Sequence, residues 1–260
     1  MFASKEKIIQ EINTMAILFG IDGTGPTSNA DYARDFKYSF VNQMCGDDNY
    51  SRGPIGPGGG LPEAIEMGMN YILKYQKVRP DQKILLTGYS RGALGAVVIA
   101  KNLKRLNIPV YAMVLFDCVD RHLAYDAEYI PNNVANVLHI RRDPAARSRM
   151  SFGNDGTKYG PPTVYTEKFY FGTHGAMGGT YWKPSGNQGL ADYVDEGTAE
   201  AVANVPSPSI FGALDPRYVA NVKAYKTNVT FRRDKECSQQ IASENNAWLV
   251  KYGFPSITCI

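Results

Sequence analysis

The 260-residue chain has no long apolar run, little net charge, few cysteines and only three histidines, and each shortage narrows what it can be. The longest apolar stretch near the N-terminus, Met15 to Phe19, is too short to span a bilayer and follows a charged segment. Neither a transmembrane helix nor a signal peptide is therefore expected, and the protein should be cytoplasmic as made, with any export relying on a signal-independent system. A formal charge of +3 is small for this length, which argues against nucleic acid as a partner and leaves transient contact with a membrane surface open. Cys45, Cys118, Cys237 and Cys259 are scattered with no C-x-x-C spacing, against a zinc site and against a dense disulfide framework. Reduced thiols are the expectation, with room for one bridge. No Gly-rich run ends in G-K-[ST], so a Walker-type phosphate loop is not expected.

What is present is a composition suited to one large α/β domain, with 44% hydrophobic and 20% charged residues over residues 1–260. Lys5 to Asn13 favours helix, and Met15 to Phe19 reads as a buried strand entering the loop Gly20-Ile21-Asp22-Gly23-Thr24-Gly25. After a polar region, Gly53 to Gly60 can only be loop, and Pro62 to Gln76 reads as a helix with Ile65, Met69, Ile72 and Leu73 on one face. Apolar runs at Lys83–Thr87, Val110–Phe116, Val134–Ile140 and Glu167–Phe171 predict further strands, with a packed helix over Ala93–Ala100. Residues 183–216 read mainly as loop, and Asp234 to Lys251 as a terminal helix capped by Gly253. Strands alternating with helices imply a mostly parallel sheet between two helical layers, with functional residues at the carboxyl ends of strands. The segments 144–166 and 183–216 are candidates for a cap or rim over such a site.

One pentapeptide carries chemistry. Gly88-Tyr89-Ser90-Arg91-Gly92 is a G-x-S-x-G pattern between a predicted strand and a predicted helix, the setting of a nucleophile elbow. A serine needs a base to take its proton and a carboxylate to orient that base. His139 lies inside an apolar strand, where a hydrogen-bonded structural histidine is expected, and His122 follows the third strand closely. His174 stands after the last strand, later in the chain than the serine and every candidate acid, which is the order Ser, acid, His of one large class of serine hydrolases. The acid is open between Asp117 and Asp143, each ending a strand, with Asp120 a third candidate; Asp143 sits among Arg141, Arg142, Arg147 and Arg149, where an ion pair is the rival role. For an oxyanion, the Arg91 N–H is one donor, and the loop carrying Gly23 and Thr24 is the natural source of the second. That loop also resembles part of the phosphatase motif D-x-D-G-T, but Gly20 occupies the position of the attacking aspartate.

Taken together, Phe19 to Thr24, Tyr50 to Gly53, Gly88 to Ala93, Leu115-Phe116-Asp117, and His174 followed by Gly178-Gly179 and Tyr181 resemble the bacterial and fungal α/β-hydrolase domain family that includes type VI secretion phospholipase effectors. The resemblance spans about residues 15 to 182 and implies an α/β-hydrolase-like fold. It also implies a triad of Ser90, Asp117 and His174, and so favours Asp117 over Asp143. The family often carries an acid two residues after the histidine, where this chain has Ala176, and its phospholipases are longer, which puts their substrate in question more than ester hydrolysis. The expectation is a serine esterase acting on a small-molecule or lipid ester, with no metal or organic cofactor. The rivals are a catalytically silent binding protein of the same fold and a secreted lipase-type antibacterial effector.

Overall fold

A computed structural model describes residues 16–55, 59–119, 124–149, 152–181 and 229–260. The expected helix at Lys5–Asn13, the rim segment 183–216, Asp120 and His122 lie outside the described residues. The elements in chain order are β1 (Ala16–Ile21), α1 (Asn29–Phe36), α2 (Phe40–Met44), β2 (Tyr50–Ser51), α3 (Leu61–Val78), β3 (Lys83–Tyr89), α4 (Arg91–Arg105), β4 (Val110–Phe116), β5 (Val134–Arg142), β6 (Val164–Tyr170), α5 (His174–Met177) and α6 (Phe231–Lys251). The strands form one six-stranded sheet in the order β2-β1-β3-β4-β5-β6, and every pairing is parallel.

Alternation along the strands divides the core in two. Ile17, Phe19 and Ile21 of β1 and Ile84 and Leu86 of β3 meet α3 and α4 on one face, through Leu61, Ile65, Ile72, Leu94 and Val97. Ala16, Leu18 and Leu85, with Val114 and Phe116 of β4, meet α1, α2, α5 and α6 on the other, through Phe36, Phe40, Met44, Met177, Ile241 and Leu249. Full burial of each large apolar side chain contributes about 1.5–3 kcal/mol, and two such faces make the three-layer, α/β-hydrolase-like arrangement. None of the four cysteines forms a disulfide. Among the described residues no helix is long and apolar enough to cross a membrane.

Several elements run past their expected ends. β1 continues through Gly20 and Ile21, which pair with Thr87 and Gly88, and β3 continues to Tyr89. The stretch read as merely polar contains α1 and α2, whose N-termini are capped by Ser28 and Ser39 accepting from the Asp31 and Asn42 amides. Because β2 lies beside β1 and the chain then crosses to β3 on the other side, the sheet order reverses at β1, and open parallel sheets place their sites at the carboxyl ends of the strands beside such a reversal, here β1 and β3.

The close approach of α4 to β1 depends on Gly92, where a Cβ would stand 2.2 Å from both the Ile21 and Asp22 carbonyl oxygens. Backbone cannot yield as a side chain can, so Gly92→Ala should lower stability by about 1–3 kcal/mol or more through overpacking. Urea denaturation read by circular dichroism checks this; an unchanged midpoint would show that α4 can move away at little cost.

Candidate active site

The turn from β3 to α4 places Ser90 in an unusual backbone conformation, φ 57° and ψ −128°. A non-glycine residue there costs on the order of 1–3 kcal/mol, and the surroundings hold it. Its N–H donates to the Phe116 carbonyl at 2.9 Å, and its carbonyl accepts from Ala93 at 3.1 Å, the first turn of α4. Gly88 leaves room for that turn, since a Cβ there would fall 2.5 Å from the Gly92 oxygen.

Asp117, the first residue beyond β4, is fully buried and also has a positive φ, 47°. His174 opens α5, with Thr173 as N-cap. Three anchors fix the histidine's backbone: its N–H donates to Ser148 Oγ at 2.8 Å, its carbonyl accepts from the Tyr89 hydroxyl at 3.0 Å, and the preceding Thr173 donates through N–H and Oγ1 to the buried Asp234 carboxylate at 2.7 and 2.9 Å. Tyr89 and Phe152 flank the imidazole, with ring centroids 5.0 and 5.5 Å away.

These anchors bring the side chains into line. The Ser90 hydroxyl donates to His174 Nε2 at 2.8 Å, and His174 Nδ1–H donates to Asp117 Oδ2 at 2.6 Å, a tautomer assigned by the carboxylate it faces. Arg142, at the end of β5, donates from Nη1 to the same Oδ2 at 2.7 Å; its remaining donors reach the Ser148, Arg149 and Gly153 carbonyls. Burial alone would raise the Asp117 carboxyl, but the Arg142 charge and the His174 bond outweigh it and hold it well below the ordinary carboxylate range. The His174 imidazole is pushed below its ordinary value, first by burial, with Asp117 opposing and Arg142 and Arg149 adding to the fall.

Asp143 is elsewhere. It caps the short 3₁₀ turn Pro144–Ala146, accepting from the Ala145 N–H at 2.8 Å. The arginine beside it in sequence serves Asp117 instead, and Arg141 pairs with Glu167. His139 is fully buried: its Nε2 accepts from the Cys118 N–H at 3.3 Å, its Nδ1 meets the Tyr165 hydroxyl at 2.8 Å, and burial followed by the Arg141 charge pushes it down to about 3.

The Gly23 N–H, expected as an oxyanion donor, is already taken. It donates to Asp22 Oδ1 at 2.9 Å, and the Gly23 carbonyl accepts from the Tyr32 hydroxyl at 2.7 Å. Thr24 is tied to the elbow instead, its Oγ1 accepting from Arg91 Nε at 2.7 Å. Asp22 itself is a buried carboxyl on the Ser39 and Tyr50 hydroxyls and the Gly23 amide, and burial, against those bonds, raises it to about 7. Arg142, Asp234 and Asp22 are supports that the sequence reading does not single out; for Arg142 and Asp22 the signal available is that a charged residue at the end of a buried strand needs a partner, whereas nothing local marks Asp234 in the first turn of α6. Among the described residues no three His, Cys, Asp or Glu side chains are grouped to hold a metal ion.

No protein-family model matches the chain, and no curated protein matches its sequence. Solved structures that resemble it in part include the RedJ thioesterase of the prodiginine pathway in Streptomyces coelicolor, at 13% identity and TM-score 0.37, covering 68% of this chain and 89% of that one. The surfactin-cyclising thioesterase domain SrfTE overlaps 73% of this chain and 92% of its own, at 13% identity and TM-score 0.37. A YdeN-like hydrolase from Pectobacterium atrosepticum overlaps 55% and 72%, at 15% identity and TM-score 0.28. With likeness at this level, the fold rests on the chain's own sheet order and register.

The raised Asp22 carboxyl implies a measurable pH dependence. Its folded value of about 7 lies above the unfolded one, so its contribution to stability is full below about pH 4 and is lost as pH rises through 7. Asp22→Asn removes the titration while keeping the shape. The wild type should therefore lose more stability than the variant between pH 5 and 8, and equal urea midpoint shifts in the two would contradict the assignment.

Proposed function

We propose that the protein is a serine hydrolase that cleaves carboxylic esters through an acyl-enzyme. The reading is carried by the unbroken hydrogen-bonded line from Ser90 Oγ through both imidazole nitrogens to Asp117 Oδ2, at 2.8 and 2.6 Å, with a buried guanidinium behind it. His174 Nε2 takes the hydroxyl proton as Ser90 Oγ attacks the ester carbonyl, and Asp117 holds the Nδ1–H tautomer and stabilises the imidazolium. The oxyanion of the tetrahedral intermediate is met by the Arg91 N–H at the start of α4 and by the Thr24 N–H. The imidazolium then gives its proton to the leaving alcohol, and a water deprotonated by His174 releases the acid. In this reading the strained Ser90 backbone serves to aim Oγ out of the sheet end. Lipid and phospholipid acyl esters are the first substrates to assay, since the motif resemblance points to them.

A fluorophosphonate probe tests the chemistry without knowledge of the substrate. Ser90 of the folded protein should be labelled, and Ser90→Ala and His174→Ala should each abolish labelling and turnover, the pair losing little more than either alone because the groups act as a unit. Asp117→Asn should cost about 10⁴-fold in kcat by favouring the wrong tautomer, while Asp143→Asn should change kcat little. Folded wild type that resists the probe would instead mark a binding protein that has kept only the geometry.

A further inference from the structure

Resting on the hydrolase reading, we infer that Arg142 is a positioning residue that sets the acid end of the pH range in which His174 serves as base, because it shares a single carboxylate oxygen with the imidazole. Both donors fall on Asp117 Oδ2, Arg142 Nη1 at 2.7 Å and His174 Nδ1 at 2.6 Å, whereas among the described residues Oδ1 receives only the Arg142 backbone N–H at 3.4 Å. A carboxylate left to the histidine alone would stabilise the imidazolium in full. Here part of that attraction is spent on a guanidinium that stays charged at every working pH.

The guanidinium cannot swing aside. Its Nε and Nη2 are held by the Ser148, Arg149 and Gly153 carbonyls, and the Arg142 and Asp117 side chains are 6% and 0% exposed, so solvent screens the contact little. Among the described residues, the groups facing His174 from its neighbours are Tyr89 of β3, Ser90 before α4, Asp117 after β4, Arg142 of β5 and Arg149 in the loop that follows; Asp234 of α6 binds the backbone and hydroxyl of Thr173. One carboxylate and two guanidinium groups therefore act on the ring. The depressed proton affinity of His174, with burial first among its causes and both arginines contributing, agrees with this balance. The same arginine binds the Ser148, Arg149 and Gly153 carbonyls, and Ser148 and Phe152 touch the histidine, so charge and placement come from one side chain.

The test is the pH titration of the His174 imidazole by NMR, assigned readily among three histidines, in wild type, Arg142→Met and Arg142→Lys, beside the pH dependence of fluorophosphonate labelling. In wild type both midpoints should lie below the ordinary histidine value of about 6.5. Arg142→Met should raise them by about one pH unit, the usual scale for losing one close charge, so that labelling on the acid limb falls about tenfold relative to its plateau. Arg142→Lys keeps the charge and loses the carbonyl anchors, so it should leave the midpoint near wild type while lowering the plateau. An unmoved midpoint in Arg142→Met overturns the inference and leaves Arg142 a scaffold; should that variant not fold, a wild-type midpoint at or above 6.5 overturns it equally. Absence of labelling in wild type at every pH would instead overturn the hydrolase reading beneath it.

Discussion

A carboxylate without solvent contact must be neutralised where it stands, and the requirement to neutralise Asp117 organises this molecule. Its two partners come from different parts of the chain: Arg142 from the end of the neighbouring strand β5, and His174 from the start of α5. Removing Arg142 from this buried cluster leaves an uncompensated charge, a loss that commonly costs about 3–5 kcal/mol. The histidine is therefore held in place by the same electrostatics that would make it chemically useful. Arg142 extends the constraint to Ser148, Arg149 and Gly153 through their carbonyls, and Thr173 extends it to α6 through Asp234.

Much of this was legible in the sequence, and the limits of legibility are physical. The elbow could be read because everything that makes it one is local: a strand, a serine, two glycines and a helix within a few residues. The late histidine could be read because few histidines exist to choose from. Which aspartate meets His174 could not be read from the residues alone, since Asp117 and Asp143 both follow apolar strands. What separates them is sheet order, which puts β4 beside β3 and β5 one strand further away, and which only the motif resemblance anticipated. Arg142 was hidden for the same reason, because its partner is a sheet neighbour and not a sequence neighbour. The helices α1 and α2 do not stand out in the sequence although Ser28 and Ser39 suit them as caps, because α1 is mostly polar around Tyr32 and Phe36 and α2 is only five residues long.

The contrast with Asp22 shows how environment divides the labour of one residue type. Both aspartates are fully buried just past a strand end. Asp117 meets a guanidinium and is held ionised, while among the described residues Asp22 meets only hydroxyls and an amide and is raised to about 7. A group of the first kind can support an imidazolium. A group of the second kind serves as a hydrogen-bond hub, and here it gathers β1, α2 through Ser39 and β2 through Tyr50 beneath the loop of Gly23 and Thr24. It also occupies the Gly23 amide, so that N–H is not directed to the elbow.

The placement of these groups follows one rule of the parallel sheet. Asp22, Ser90, Asp117 and Asp143 are each the first residue beyond a strand, and the N–H of each donates to a carbonyl at the end of the neighbouring strand: to Ser51, Phe116 and Tyr170, each the last of its strand, from Asp22, Ser90 and Asp143 at 3.1, 2.9 and 2.8 Å, and to Ile140, two residues before the end of β5, from Asp117 at 2.7 Å. The hydrogen-bond ladder thus continues one residue past the strands, so the side chains that leave the sheet do so from backbone as firmly held as the sheet itself. That firmness is what sustains a positive φ at both Ser90 and Asp117, because a loop free to relax would release the strain. The four positions share this support, yet only Ser90 and Asp117 meet His174. The ladder therefore explains precision, and selection among the positions falls to strand order and to the buried arginine.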